Sequence, residues 1–211
     1  MMIRQFEVAF IDTNILLYAA FFKKYSVFDW VDGLYKEIII HRVVLDELLT
    51  ERAYINAEIV KRHWKIFDDR SLSEAESSVY KNYVHMVQAG FKKVNRKRQV
   101  AGKRVKTTAN RGEIGSIAAC LLTDTPLICS NDFDIREVVL DQNYAYVDLY
   151  GEEHLIIQDS LEDFCFYCVH DLHVPVSHVR QFLKSTFENQ KLRTHALKSF
   201  DDRIDSDASL L

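Results

Sequence analysis

Four acids stand where apolar runs end or helical patterns begin, and their types and spacing could hold a cation. Phe10-Ile11-Asp12-Thr13-Asn14 closes the first apolar run, and Leu45-Asp46-Glu47-Leu48 lies in an early helical stretch. Gly112-Glu113-Ile114 opens another helix, and Ser130-Asn131-Asp132-Phe133-Asp134 follows a short apolar run. Carboxylates that meet in space do not stay together unpaired, because like charges at contact distance raise one another's pKa or demand a cation. A hard divalent ion such as Mg2+ binds through one or a few carboxylates, keeps part of its water and suits phosphate chemistry. Each acid also has a blander reading. Asp12 and Asp132 could cap helices, Glu113 could complement the dipole of a first turn, and Glu47 with Asp46 could simply be solvated. Taken as a set on an α/β frame, they favour a metal site.

The elements that must position these acids follow from pattern. Val8-Ala9-Phe10-Ile11 is uniformly apolar, which predicts a strand covered on both faces, as in parallel sheets. Ile38-Ile39-Ile40 predicts a second strand, Pro126-Leu127-Ile128-Cys129 a third and Tyr144-Ala145-Tyr146-Val147-Asp148 a fourth. Helices are expected from Ser26, which has capping-box spacing to Asp29, over Val43 to about Ala53, and over about Ala57 to Phe67. Further helices are expected from Ser73 to a stop at Gly90, over about Arg111 to Leu122, and over Ile135 to Leu140. From about Gly151 onward the pattern reads as helical. Strands alternating with helices imply βαβ units and a mostly parallel central sheet flanked by helices. The expected organisation is an α/β domain over residues 1–150 and a C-terminal helical extension over 151–211, packed on that domain or on a partner. Ligands bind such sheets beyond the carboxyl ends of the strands, where Asp12, Asp132 and Asp134 are expected.

The 211 residues carry a net charge of −4, so overall charge does not mark a nucleic-acid binder, and the local distribution matters more. Lys92, Lys93, Arg96, Lys97, Arg98, Lys103, Arg104 and Lys106 form a block without an acid, which predicts an exposed loop over about 91–108. Lys97, Arg98, Lys103 and Arg104 are its candidate substrate-binding residues, since cations that meet phosphates release counterions. A solvated charge run is the alternative. The hydrophobic fraction of 48% supports a sizeable core, and two prolines and six glycines argue against low complexity. No apolar run approaches the ~20 residues of a membrane span, and the N-terminal residues do not read as a signal peptide. Four cysteines without a secretion signal suit a reducing cytoplasm. Cys165 and Cys168 form a C-x-x-C, but with Leu161, Phe164 and Leu172 they share one helical face, which makes them core residues before zinc ligands.

Four stretches together resemble the PIN domain, a ribonuclease fold related to the flap endonucleases. Val8-Ala9-Phe10-Ile11-Asp12-Thr13-Asn14 resembles the family's opening strand and Asp-Thr/Ser-Asn sequence. Val44-Leu45-Asp46-Glu47-Leu48 resembles its second acid, Gly112-Glu113-Ile114-Gly115-Ser116-Ile117-Ala118-Ala119 its small-residue helix with the third, and Leu127-Ile128-Cys129-Ser130-Asn131-Asp132-Phe133-Asp134 its last acidic motif. The resemblance covers about residues 6–150. It implies a PIN-like α/β fold and a metal-dependent endoribonuclease with Asp12, Glu47, Glu113 and Asp132 on Mg2+ or Mn2+, and Asp134 in support. It further implies that Thr13 and Asn14 hold the first acid or a metal-bound water, with Asn131 in a similar role, and that cleavage leaves a 3′-hydroxyl and a 5′-phosphate. Candidate partners on the same ground are RNA ahead of DNA, an antitoxin or other protein, and a second copy in a homodimer. Asp46 and Glu47 are one residue apart, a helix rotation of about 100°, so only one can face the site. Alignment with the family selects Glu47.

Two other readings compete. A binding module could use the same fold without turnover, although four clustered carboxylates have no need to exist in a dead site. A haloacid-dehalogenase phosphatase needs Asp-x-Asp after the first strand, whereas Asp12 is followed by Thr13 and Asn14, and no Gly-x-x-x-x-Gly-Lys phosphate loop occurs.

Overall fold

The apolar runs pair with one another as parallel strands, and the helices between them cover both faces. The computed structural model describes residues 4–103, 105 and 110–208. In chain order the elements are β1 (Val8–Ile11), α1 (Thr13–Phe21), α2 (Val27–Leu34), β2 (Glu37–His41), α3 (Arg42–Asp46), α4 (Arg52–Lys61) and β3 (Lys65–Phe67). A short 3-10 turn (Asp69–Ser71) leads to α5 (Glu74–Val100), α6 (Arg111–Thr123), β4 (Leu127–Cys129), α7 (Asp134–Gln142), β5 (Ala145–Val147), β6 (Glu153–Leu155) and β7 (Ile157–Asp159). Three helices complete the chain, α8 (Leu161–His170), α9 (Val176–Ser185) and α10 (Gln190–Ala208).

The main sheet has the order β3-β2-β1-β4-β7, with every pair parallel. Phe10 aligns with Ile39 on one side and Ile128 on the other. Alternate residues point to opposite faces. Ala9, Ile11, Ile38, Ile40, Leu127 and Cys129 join a core with α1, α2, α4 and α8 to α10. Phe10 and Ile128 join a second core with α5, α6 and α7. This is why the strands lack the polar alternation of a half-exposed sheet. The local start signals act as the sequence predicts. Ser26 accepts from the Asp29 amide, and Ser73 and Ser160 form reciprocal capping boxes with Glu76 and Asp163.

Several boundaries differ from the sequence reading. The stretch expected as one helix over Val43 to Ala53 is split by a turn in which Glu51 takes a left-handed conformation (φ 56°). The next helix ends at Lys61 instead of Phe67, because His63 is also left-handed (φ 57°) and Lys65–Phe67 pairs with β2 as a sheet edge. Gly90 does not stop a helix. It lies inside α5, where a Cβ would stand 2.6 Å from Tyr144 Oη and 2.9 Å from Gln142, so its role is close approach to α7 and the residues after it. Ala145–Val147 is a strand but pairs antiparallel with β6 in a separate two-stranded sheet. The segment after Gly151 is not wholly helical, since β7 completes the main sheet beside β4.

The basic block is the largest correction. The loop expected over about 91–108 is helical through Val100. Three of its cations face the acids of α7: Lys93 and Lys97 meet Asp141, and Arg98 meets Asp134 and Glu137. A charge run that repels itself in isolation is therefore neutralised by a neighbouring helix.

Candidate metal centre

Strand order reverses between β1 and β4, since β2 and β3 extend from one side of β1 while β4 and β7 lie on the other. A crevice opens past the carboxyl ends of strands at such a point. Asp12 leaves β1 there, and Ser130, Asn131 and Asp132 leave β4. Asp12 holds the position of a helix cap on α1, yet its side chain caps nothing. Its Oδ2 instead accepts from Ser130 Oγ at 2.7 Å and Asn14 Nδ2 at 2.8 Å. Asn14 also accepts the Asn131 amide through Oδ1 at 3.1 Å, which ties the two strand ends together.

Glu47 enters from the end of α3. Its Oε1 accepts the Gly112 amide at 3.1 Å and its Oε2 accepts Thr13 Oγ1 at 3.1 Å. The first turn of α6 can approach this closely because residue 112 has no side chain; a Cβ there would stand 3.0 Å from Glu47 Oε2. Thr13 thus braces the second acid with its hydroxyl and reaches Asp12 only through its backbone. Asp46 points elsewhere, into ion pairs with Arg42, Arg52 and Arg70.

Glu113, on the next residue of α6, is hydrogen-bonded to Asp132. Two carboxyl groups can share such a bond only if one holds a proton. Burial, then the Asp132 bond and the charges of Asp12 and Asp132, push the Glu113 carboxyl up to about 8. Asp12 is pushed up to about 6, first by burial and then by the charges of Glu47 and Asp132, against the lowering effect of Ser130 and the Thr13 amide. Asp12, Glu47, Glu113 and Asp132 therefore form one interacting group, in which burial and mutual repulsion bear on Asp12 and Glu113. That donor set is one a hard divalent cation uses.

The other acids and cations sit differently. Asp134, expected as a supporting ligand, is buried against Arg98 Nη1 at 2.7 Å. Its backbone serves the site, because the Asp134 amide donates to Asp132 Oδ1 at 3.0 Å. Arg98 corrects the substrate-binding expectation, since its side chain is only 14% exposed and is spent on α7. Lys97 is held by Asp141, while Lys103 is exposed and makes no ion pair among the described residues. Arg104 lies outside the described residues.

Two residues that the sequence reading left without a role complete the crevice. Ser130 joins Asp12 to the Asp132 amide, which donates to its Oγ at 3.1 Å. Buried Gln158 on β7 donates to the carbonyls of Ser130 at 2.8 Å and Asp132 at 2.7 Å and accepts the Arg136 amide, fixing the loop after β4. Ser130 was visible inside its motif. Gln158 carried no signal, because its strand reads as helical.

A second acidic group occupies the β5–β6 turn. Ligand atoms of Asp148, Glu152 and His154 all lie within 4.8 Å of one another, a spacing the crevice acids do not reach. Asp148 Oδ1 accepts the amides of Tyr150 and Glu152, and its Oδ2 meets His154 Nε2 at 3.1 Å. Cys120, Cys129, Cys165 and Cys168 are all buried free thiols, pushed up by desolvation. Among the described residues no helix is long and apolar enough to cross a membrane. No family model and no curated protein matches the chain.

Proposed function

We propose that this chain is a Mg2+- or Mn2+-dependent endonuclease of the PIN type, hydrolysing phosphodiester bonds in RNA ahead of DNA. The observation that carries this reading is the meeting of buried Asp12 with half-buried Glu113 and Asp132 and the more exposed Glu47 in one crevice at the point where strand order reverses. Those four carboxylates would hold the cation. When bound, such a cation lowers the pKa of water and neutralises charge that develops on the phosphate. Ser130 and Asn14 orient Asp12, and Thr13 with the Gly112 amide orients Glu47. A bound cation would favour the ionised forms of both Glu113 and Asp132. As in the family it resembles, cleavage leaves a 3′-hydroxyl and a 5′-phosphate.

The test is cleavage of single-stranded RNA with Mg2+ or Mn2+, alongside EDTA and Asp12→Asn controls. Activity that survives chelation or the loss of Asp12 overturns the mechanism. A non-catalytic binding module is the second reading, favoured by one observation: oxygens of Asp12 and Glu47 already accept bonds from protein donors. Tight binding of RNA or DNA with no cleavage of either would select it. A toxin role would require an antitoxin that covers the crevice, for which an Arg side chain paired to the carboxylates is the natural plug.

A further inference from the structure

A cleft of about 340 Å³ adjoins the crevice, with Val43, Val84 and Ile114 as apolar walls and Asp69, Gln88 and Arg111 as its polar groups. Its position beside the acids is fixed by short links. The Val43 carbonyl accepts the Glu47 amide at 3.0 Å, and Arg111 and Ile114 flank Glu113 in the first turn of α6. The three polar side chains come from the 3-10 turn, α5 and α6, and none makes a hydrogen bond or ion pair to another described residue. Their neighbours are engaged: Asp68 pairs with Arg42, and Tyr80 bonds His41 at 2.8 Å. An open cleft with apolar walls and convergent, uncommitted polar groups is the form of a ligand site.

We infer that this cleft receives a guanine base of the nucleic acid whose phosphate lies at the acid crevice. Cleavage of that nucleic acid rests on the nuclease reading; recognition of the base does not. Val43, Val84 and Ile114 offer a planar base apolar surface to pack against. The Asp69 carboxylate is an acceptor only, so the edge it meets must present N–H donors. Guanine offers a ring N–H beside an exocyclic amine. Adenine and cytosine set their amine beside a ring acceptor, and uracil flanks its single N–H with two carbonyls. Gln88 can donate to the guanine carbonyl. Arg111 supplies a cation for the phosphate that the four acids alone repel. Single-stranded RNA is read in this way, by hydrogen bonds to splayed base edges.

Titration of the full chain in EDTA with the 5′-monophosphates of guanosine, adenosine, cytidine and uridine tests the inference without using catalysis. Guanosine monophosphate is expected to bind ~10-fold more tightly than the other three, the discrimination of one bidentate base contact. Asp69→Asn removes the preference, Gln88→Ala on the exposed side of α5 weakens it, and Arg111→Gln weakens all four nucleotides together. Equal affinities, or no binding of any nucleotide, overturn the inference. Selective guanosine binding by a protein that cuts nothing keeps the cleft and removes the nuclease. Cleavage without guanosine selectivity does the reverse.

Discussion

Asp12 and Glu113 in the crevice and Asp148 in the β5–β6 turn respond to their surroundings in opposite directions. In the turn, Asp148, Glu152 and His154 are neighbours in sequence and close in space. The backbone amides of Glu152 and Tyr150, with His154, hold the Asp148 carboxyl below its ordinary range, so its charge is already accommodated. In the crevice, Asp12 is buried and joined to Ser130 from 118 positions away, and it is pushed up, as is Glu113. Asp148 is satisfied by local donors. Asp12 and Glu113 have charge that burial makes costly and that protein donors only partly offset.

The largest effect should come from removing a crevice acid. Asp12→Asn is expected to lower RNA cleavage on the order of 10³-fold, as loss of a principal electrostatic group does, whereas Asp148→Asn leaves the rate unchanged. A reversed result would move the centre to the turn.

Thermal stability should distinguish the two groups next. The folded-state values of Asp12 and Glu113 lie above their ordinary ones, so without a divalent cation the folded chain binds more protons than the unfolded chain between about pH 4 and 8. Their contribution is present below the unfolded values and is lost as pH rises through about 6 and then about 8. The melting temperature of cation-free protein is expected to fall over that window. Mg2+ at about 100 times its Kd should restore ~2.7 kcal/mol, roughly 5–10 °C for a chain of this size, with the greatest gain at the alkaline end. Calorimetry of Glu113→Gln should show most of both effects gone, and Asp148→Asn should keep them.

Ser130→Ala is expected to weaken activity or metal affinity ~10–100-fold, the usual result of removing a group that orients a ligand. A variant indistinguishable from wild type would show that Asp12 is positioned without it. The smallest effects concern the basic helix. Arg98→Ala should destabilise by roughly 1–2 kcal/mol, because it strips a buried carboxylate of a partner, while Lys97→Ala should change stability by less than ~0.5 kcal/mol at its exposed pair. Denaturant unfolding would measure both. Equal effects would mean that burial does not separate the two pairs.

Legibility varied with how local the cause was. Ser73 and Ser160 could be read as helix starts because a capping box is closed within four residues. The apolar runs around Phe10, Ile39 and Ile128 could be read as doubly covered strands because no polar residue interrupts them. β3 and β7 could not, since Lys65-Ile66-Phe67 and Ile157-Gln158-Asp159 mix polar with apolar residues over too few positions to show a period, unlike the wholly apolar Leu127-Ile128-Cys129. Lys92 to Lys106 misled in the same way, since the acids that neutralise its helical part belong to α7. Gln158 was invisible for the reason that β7 was.

By itself the sequence determined which segments must be buried and where helices start, because apolar runs and caps act through neighbours in the chain. It also set four acids at element ends. The tertiary structure alone decided that Glu47 turns inward while Asp46 pairs with arginines, that Asp134 serves Arg98, and that Ser130 and Gln158 frame the crevice. Those outcomes depend on the balance of desolvation and charge among groups that meet only when the sheet is assembled, and no local pattern encodes that balance.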